Sequence, residues 1–93
     1  MSILIEAGDS EWKPICECLL AVAEFAKREG DYIWYRGRRT PWLHREVERL
    51  IAFLGVGDQF AWVEDHPTSS IAAVLRVADS PGVWTRQLED VTR

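Results

Sequence analysis

The chain has 93 residues, enough for one core and too few for two, because a chain this short buries only about 60–65% of the surface it exposes when unfolded. With 47% hydrophobic and 28% charged residues it is globular in composition, which excludes a disordered polymer. A net charge of −4 disfavours a duplex-binding protein, and no apolar run approaches the ~20 residues that cross a bilayer.

The opening "MSILIEAGDSEW" has no basic stretch ahead of its short apolar run, so a signal peptide is not expected and the sequence reads as soluble and cytoplasmic. Residues 2–7, "SILIEA", form a weak strand candidate. From Ser10 to Glu29, apolar residues recur at Trp12, Ile15, Cys16, Leu19, Val22, Ala23 and Ala26, the spacing of one helical face. Pro14 is tolerated only in a first turn, which places the cap around Ser10 to Trp12, and Gly30 stands where a left-handed residue ends a helix. Cys18, Leu20 and Phe25 widen the apolar arc to roughly 220°, beyond what one packing face needs. This helix is therefore expected to be deeply embedded or to touch a second partner, a homodimer through the first helix being one outcome. Cys16 and Cys18 point about 200° apart on a helix, so they neither pair nor share a metal, and two lone thiols fit a reducing compartment.

"DYIWYR" (31–36) is aromatic, β-branched and nearly continuously apolar, which predicts a strand covered on both faces. Thr40 as N-cap and Pro41 at the first position start a second helix that ends at Gly55, with Leu43, Val47, Leu50, Ile51 and Leu54 as its stripe. Val56 is placed to fold back on Ile51 as in a Schellman ending. Trp42, Glu46, Arg49 and Phe53 form a second row beside that stripe. "DQFAWVE" (58–64) predicts another strand. A third helix is expected over about 67–79, carrying Ile71, Val74, Leu75 and Ala78 inward and stopping at "DSPG". "VWTRQL" (83–88) reads as a strand, or as helix together with "EDVTR".

The alternation of strand and helix predicts one small α/β domain: three helices and a three- to four-stranded sheet, mostly parallel or mixed, with an α+β fold on an antiparallel sheet as the alternative. In parallel sheets the loops leaving the C-terminal strand ends gather on one edge and bind ligands there. "RGRRT" and "EDHPTSS" are two such loops, so Arg36, Arg38 and Arg39 are expected on the same edge as Glu64, Asp65, His66, Thr68, Ser69 and Ser70, with Trp34 and Trp42 flanking the arginines. Charge is polarised: residues 34–49 hold five arginines against two glutamates, a net +3, which leaves −7 elsewhere to make the total of −4.

Three readings fit the basic loop. It is a solvated turn whose arginines pair with Glu64 and Asp65 and stack on Trp34 or Trp42. Alternatively it is a protein-binding patch, since Trp and Arg often dominate interface energy, or a phosphate or nucleic-acid site. The order "WYRG", "TSS" (68–70) and "QLE" (87–89) resembles that of ADP-ribosyltransferases. The resemblance implies an NAD-binding enzyme in which Arg36 contacts the dinucleotide, Glu89 stabilises an oxocarbenium-like centre and Gln87 lies near the acceptor. His44 and His66 have no partner at metal-ligand spacing and read as surface or cap residues. The sequence reading favours a binding module acting by protein contact, an inhibitor or adaptor of the sort phages and mobile elements encode, with no cofactor and no metal.

Overall fold

A computed structural model of the protein describes residues 1–65 and 70–93. The elements run β1 (Ser2–Gly8), α1 (Trp12–Glu29), β2 (Tyr32–Gly37), α2 (Pro41–Leu54), β3 (Phe60–Trp62), β4 (Ile71–Arg76) and α3 (Pro81–Val91), with 3-10 turns at Gly57–Gln59 and Val63–Asp65. The four strands make one all-parallel sheet in the order β3-β2-β1-β4. The α/β expectation holds, and the parallel form of the sheet is the one realised.

Local chemistry fixes most boundaries. The Thr40 hydroxyl accepts from the Leu43 amide at 3.4 Å, with Pro41 at the first helical position. Gly55 takes φ +75°, and the Val56 amide donates to the Ile51 carbonyl at 3.2 Å, the expected Schellman ending. Gly30 ends α1 with φ +74° in the same left-handed region. Cys16 and Cys18 are both free thiols.

Helices α1 and α2 each link a strand to its neighbour in the same direction, from β1 to β2 to β3, so right-handed crossovers set both on one face of the sheet. Helix α3 packs against α1 and β4 on that face. The core is therefore a single layer, in which Ile3, Ile5, Ile33, Tyr35, Trp62 and Leu75 of the strands meet Ile15, Leu19, Val22, Val47 and Trp84 of the helices. The alternate strand positions look the other way, and Tyr32 is 55% exposed. The expectation that the aromatic strands are covered on both faces is met unevenly: β2 alternates, with Ile33 and Tyr35 buried against the helices and Tyr32, Trp34 and Arg36 on the other face, where Trp34 is half-buried beside the buried Leu4 while Tyr32 and Arg36 are exposed. The wide apolar arc of α1 has a physical account, because α1 is the middle helix and packs against α2 on one side and α3 on the other.

The third helix over 67–79 is overturned. Residues 71–76 are the edge strand β4, paired in parallel with β1 from Ile71 to Arg76. Ile71, Ala73 and Leu75 turn toward the helices while Ala72, Val74 and Arg76 are exposed. The misleading signal was "DSPG": Ser80 and Pro81 stand at the N-cap and first position of α3, so the proline starts a helix and does not end one. "VWTRQL" accordingly lies within α3, as the helical alternative has it, and residues 67–69 of the expected helix lie outside the described residues.

Gly37 closes β2 against a tight neighbour. A Cβ built there meets the Ala7 Cβ at 2.8 Å and the Tyr35 Cε1 at 3.3 Å, and both residues are buried. Gly37→Ala is therefore expected to destabilise the chain by about 1–3 kcal/mol through overpacking, read as a lower denaturant midpoint at unchanged slope.

Candidate functional site

The three arginines of the β2–α2 turn are held in three directions. Arg36 sits on the outward face of β2, in register with Glu6 of β1, and its guanidinium pairs with the Glu6 carboxylate at 2.8 Å. The Arg38 amide donates to the Gly8 carbonyl at 3.2 Å, and its Nη2 donates to the Ser10 carbonyl at 3.1 Å, which joins this turn to the β1–α1 turn. Arg39 leans the opposite way and lies over the Trp62 ring with its Cζ 4.4 Å from the centroid.

Trp62 organises that third direction. His44 stacks on it at 4.7 Å with 14° between the planes, and the indole Nε1 donates to Glu48 Oε1 at 2.8 Å. Arg39 Nε donates to His44 Nδ1 at 3.4 Å, which leaves the other ring nitrogen, 3.5 Å from Glu48 Oε1, to carry the proton in the neutral imidazole. Arg39 Nη1 reaches Glu64 Oε2 at 3.7 Å. An arginine, an indole, an imidazole and two carboxylates thus form one connected cluster at the C-terminal edge of β3. Burial of the Trp62 ring anchors it, and Tyr35 and Phe60 both pack edge-on to that ring and tilted against each other.

The solvated-turn reading is therefore met in part. Arg39 pairs with Glu64 as that reading expects, but it stacks on Trp62 and not on Trp34 or Trp42. Trp34 is half-buried on the sheet face away from the helices, in register with Leu4 and Ala61. Trp42 belongs to the helix layer, where it is 52% exposed and edge-on to Trp12 at 6.2 Å. The two tryptophans that flank the arginines in sequence stand on opposite faces of the sheet, because one is an outward strand position and the other opens a helix.

The expected common edge divides in a similar way. Glu64 lies past the C-terminal end of β3 on the arginine edge, and Asp65 closes the same 3-10 turn. Ser70 stands at the opposite edge: its carbonyl accepts from the Ser2 amide at 3.2 Å, at the N-terminal ends of β1 and β4. The reason is the strand at 71–76, which turns what was read as a loop entering a helix into a return to the start of the sheet. His66, Thr68 and Ser69 lie outside the described residues. The sequence reading missed Trp62, His44 and Glu48. Their signal was present in the four-residue spacing of His44 and Glu48 on α2 and in a tryptophan at the end of a short strand.

Of the three motifs whose order resembles that of ADP-ribosyltransferases, the first and last do not converge, and residues 68 and 69 of the other lie outside the described residues. Arg36 is on the outward sheet face, while Gln87 and Glu89 are on α3 in the helix layer. The Gln87 amide donates to the Val74 carbonyl at 3.1 Å, and Glu89 borders a groove with Phe25, Arg28 and Thr85 between α1 and α3. Among the described residues, no three His, Cys, Asp or Glu side chains gather to hold a metal, and no helix is long and apolar enough to cross a membrane.

The fold and rim define a small α/β domain with a 3-2-1-4 parallel sheet, helices on one face, and an arginine-rich turn at the C-terminal strand ends. Comparison with protein-family models, curated proteins and solved structures finds no match for this chain.

Proposed function

We propose that the protein is a non-catalytic binding module that acts by contact with another protein through the rim at the C-terminal ends of the strands. The observation that carries this reading is the preset arginine turn. Arg36, Arg38 and Arg39 are each oriented by a different element, β1, the β1–α1 turn and β3 with α2, while their side chains remain at the surface. Ordering such flexible side chains on binding costs about 0.5–1.5 kcal/mol apiece, and orientation before contact removes part of that cost. The surface ion pairs that hold them are individually worth about 0–1 kcal/mol, so a partner displaces or shares them easily.

A protein partner fits better than a nucleic acid. Glu6, Glu64 and the β1–α1 residues Asp9 and Glu11 are interleaved with the arginines on this rim, so it presents mixed charge and no continuous basic track for a phosphate backbone. Arginine and an exposed tryptophan at the border are residue types enriched at protein interfaces.

Replacing Arg36, Arg38 and Arg39 together by alanine is expected to abolish capture of a specific partner from cells that encode the protein, while the melting temperature falls only slightly. Capture is compared at two salt concentrations. Retention of the partner by the triple variant refutes the assignment, and steep release of nucleic acid with salt transfers the rim to the phosphate reading.

A further inference from the structure

One surface of the helix layer is not absorbed by the rim. On α2, Trp42, Glu46, Arg49 and Phe53 are spaced by four, three and four residues, the spacing of a two-helix seam. The row ends in two exposed aromatics, Trp42 at 52% and Phe53 at 85%. Between them Arg49 reaches back to Glu46 at 3.5 Å, with the arginine side chain 72% exposed. A phenylalanine left this bare on the outer face of a folded helix serves no packing in the monomer. Beside it runs a groove between α1 and α2, in which Leu20, Ala23 and Leu54 lie next to the charged Glu24, Lys27 and Arg28 and Leu20 is itself 45% exposed.

We propose that this face binds a second copy of the same chain, with α2 crossing the partner's α2 antiparallel about a two-fold axis between Val47 and Glu48. Along the row the chemistry runs aromatic, acid, base, aromatic. The pairs Trp42/Phe53 and Glu46/Arg49 share one midpoint, between Val47 and Glu48. A two-fold through that point sets Trp42 on the partner's Phe53 and Glu46 against the partner's Arg49, and each contact occurs twice because an isologous interface repeats. The partner's Trp42 then has both Phe53 and the Leu20–Leu54 groove to cover. A parallel pairing puts Glu46 on Glu46 and Arg49 on Arg49, so the charges also select the orientation. The row is about 16 Å long at 1.5 Å per residue; it begins at Trp42 beside the arginine turn and runs away from it along α2, so the residues exchanged in the test, Glu46, Arg49 and Phe53, are not those of the rim.

The test is sedimentation equilibrium of the whole chain up to about 1 mM, the concentration at which even a millimolar association is visible. The wild-type chain is expected to be a dimer at high concentration and to dissociate on dilution. Phe53→Ser is expected to be monomeric with an unchanged circular dichroism spectrum. Glu46→Arg and Arg49→Glu, each placing like charges across the two-fold, are expected to weaken dimerisation at least about tenfold, and combining them in one chain restores it because the pair is only exchanged. The triple arginine variant of the rim is expected to keep the dimer. A wild-type chain that remains monomeric at every concentration overturns the proposal, as does a dimer indifferent to Phe53→Ser or a double exchange that fails to rescue the single ones. None of these results bears on partner capture by the rim.

Discussion

Trp84→Ala is expected to cost about 3–5 kcal/mol of folding stability, the range for emptying a buried tryptophan site. Trp84 is among the largest fully buried side chains and sits in the first turn of α3. Its indole Nε1 donates to the Arg76 carbonyl at 2.8 Å, so one side chain fills space beneath α3 and also ties that helix to the last residue of an edge strand. Alanine removes both, leaving a cavity and cutting the side-chain tie between α3 and β4, while the Arg76 carbonyl keeps the Asp79 amide as a donor at 2.9 Å. Domains of this size hold only about 5–15 kcal/mol in total, so the variant loses a large fraction of its stability. At 4–8 °C per kcal/mol, the melting temperature falls by at least about 12 °C. Trp84→Phe keeps most of the volume and loses the hydrogen bond, and is expected to fall clearly less. Equal losses for the two variants, or a shift of a degree or two for Trp84→Ala, show that α3 is not fastened to the sheet by this residue.

Trp84 also marks where the sequence became hard to read. The first two helices were legible because their signals agree: a 3.6-residue apolar stripe, a cap or a first-turn proline, and a glycine that takes positive φ at the end. Residues 71–79 carry mixed signals. Ile71, Val74, Leu75 and Ala78 match a helical stripe by chance, whereas the pattern that matters is the two-residue alternation Ile71, Ala73, Leu75, in which a small alanine weakens the periodicity. Once that stretch was taken as helix, Pro81 had to be its stop and Trp84 its trailing strand. The strand is fixed by its parallel pairing with β1, a contact about seventy residues apart in the chain that no local window contains.

The arginine turn was legible as a feature but not as an arrangement. Its location at the C-terminal strand ends follows from the βα order alone. Which face each side chain takes depends on strand parity, and this sends Trp34 and Arg36 to one side of the sheet and Trp42 to the other. The partners depend on neighbours distant in sequence: Glu6 lies beside Arg36 only because β1 and β2 are in register, and Trp62 underlies Arg39 only because β3 ends opposite Tyr35, short of the end of β2 at Gly37. Surface charge spacing holds no record of either.

Stability is expected to collapse in alkali earlier than surface chemistry alone requires, because two buried acids must stay protonated in the native state. Burial pushes the Cys18 thiol up from an ordinary value of 9.0 to about 12. The Tyr35 phenol rises from 10.0 to about 12, mainly through burial and further through the neighbouring Cys18, with Arg38 pulling partly the other way. Both side chains are fully buried. Below about pH 9 the folded and unfolded chains both hold the two protons, and these groups give no pH dependence. Above it the unfolded chain releases first the thiol and then the phenol proton while the native state retains both. The unfolded state then binds fewer protons, and stability must fall as pH rises. Each group contributes a slope of up to about 1.4 kcal/mol per pH unit, so between about pH 10 and 12 the two together remove stability on the scale of a whole domain. Urea unfolding at intervals from pH 8 to 11 measures this directly. Cys18→Ala, compared by slope and not by absolute stability, is expected to delay the onset by about one pH unit, and Tyr35→Phe is expected to leave the thiol's share of the slope alone. A wild-type stability that stays level from pH 9 to 11 means that the thiol and the phenol both ionise within the native fold, and then the region between α1 and β2 is open to water.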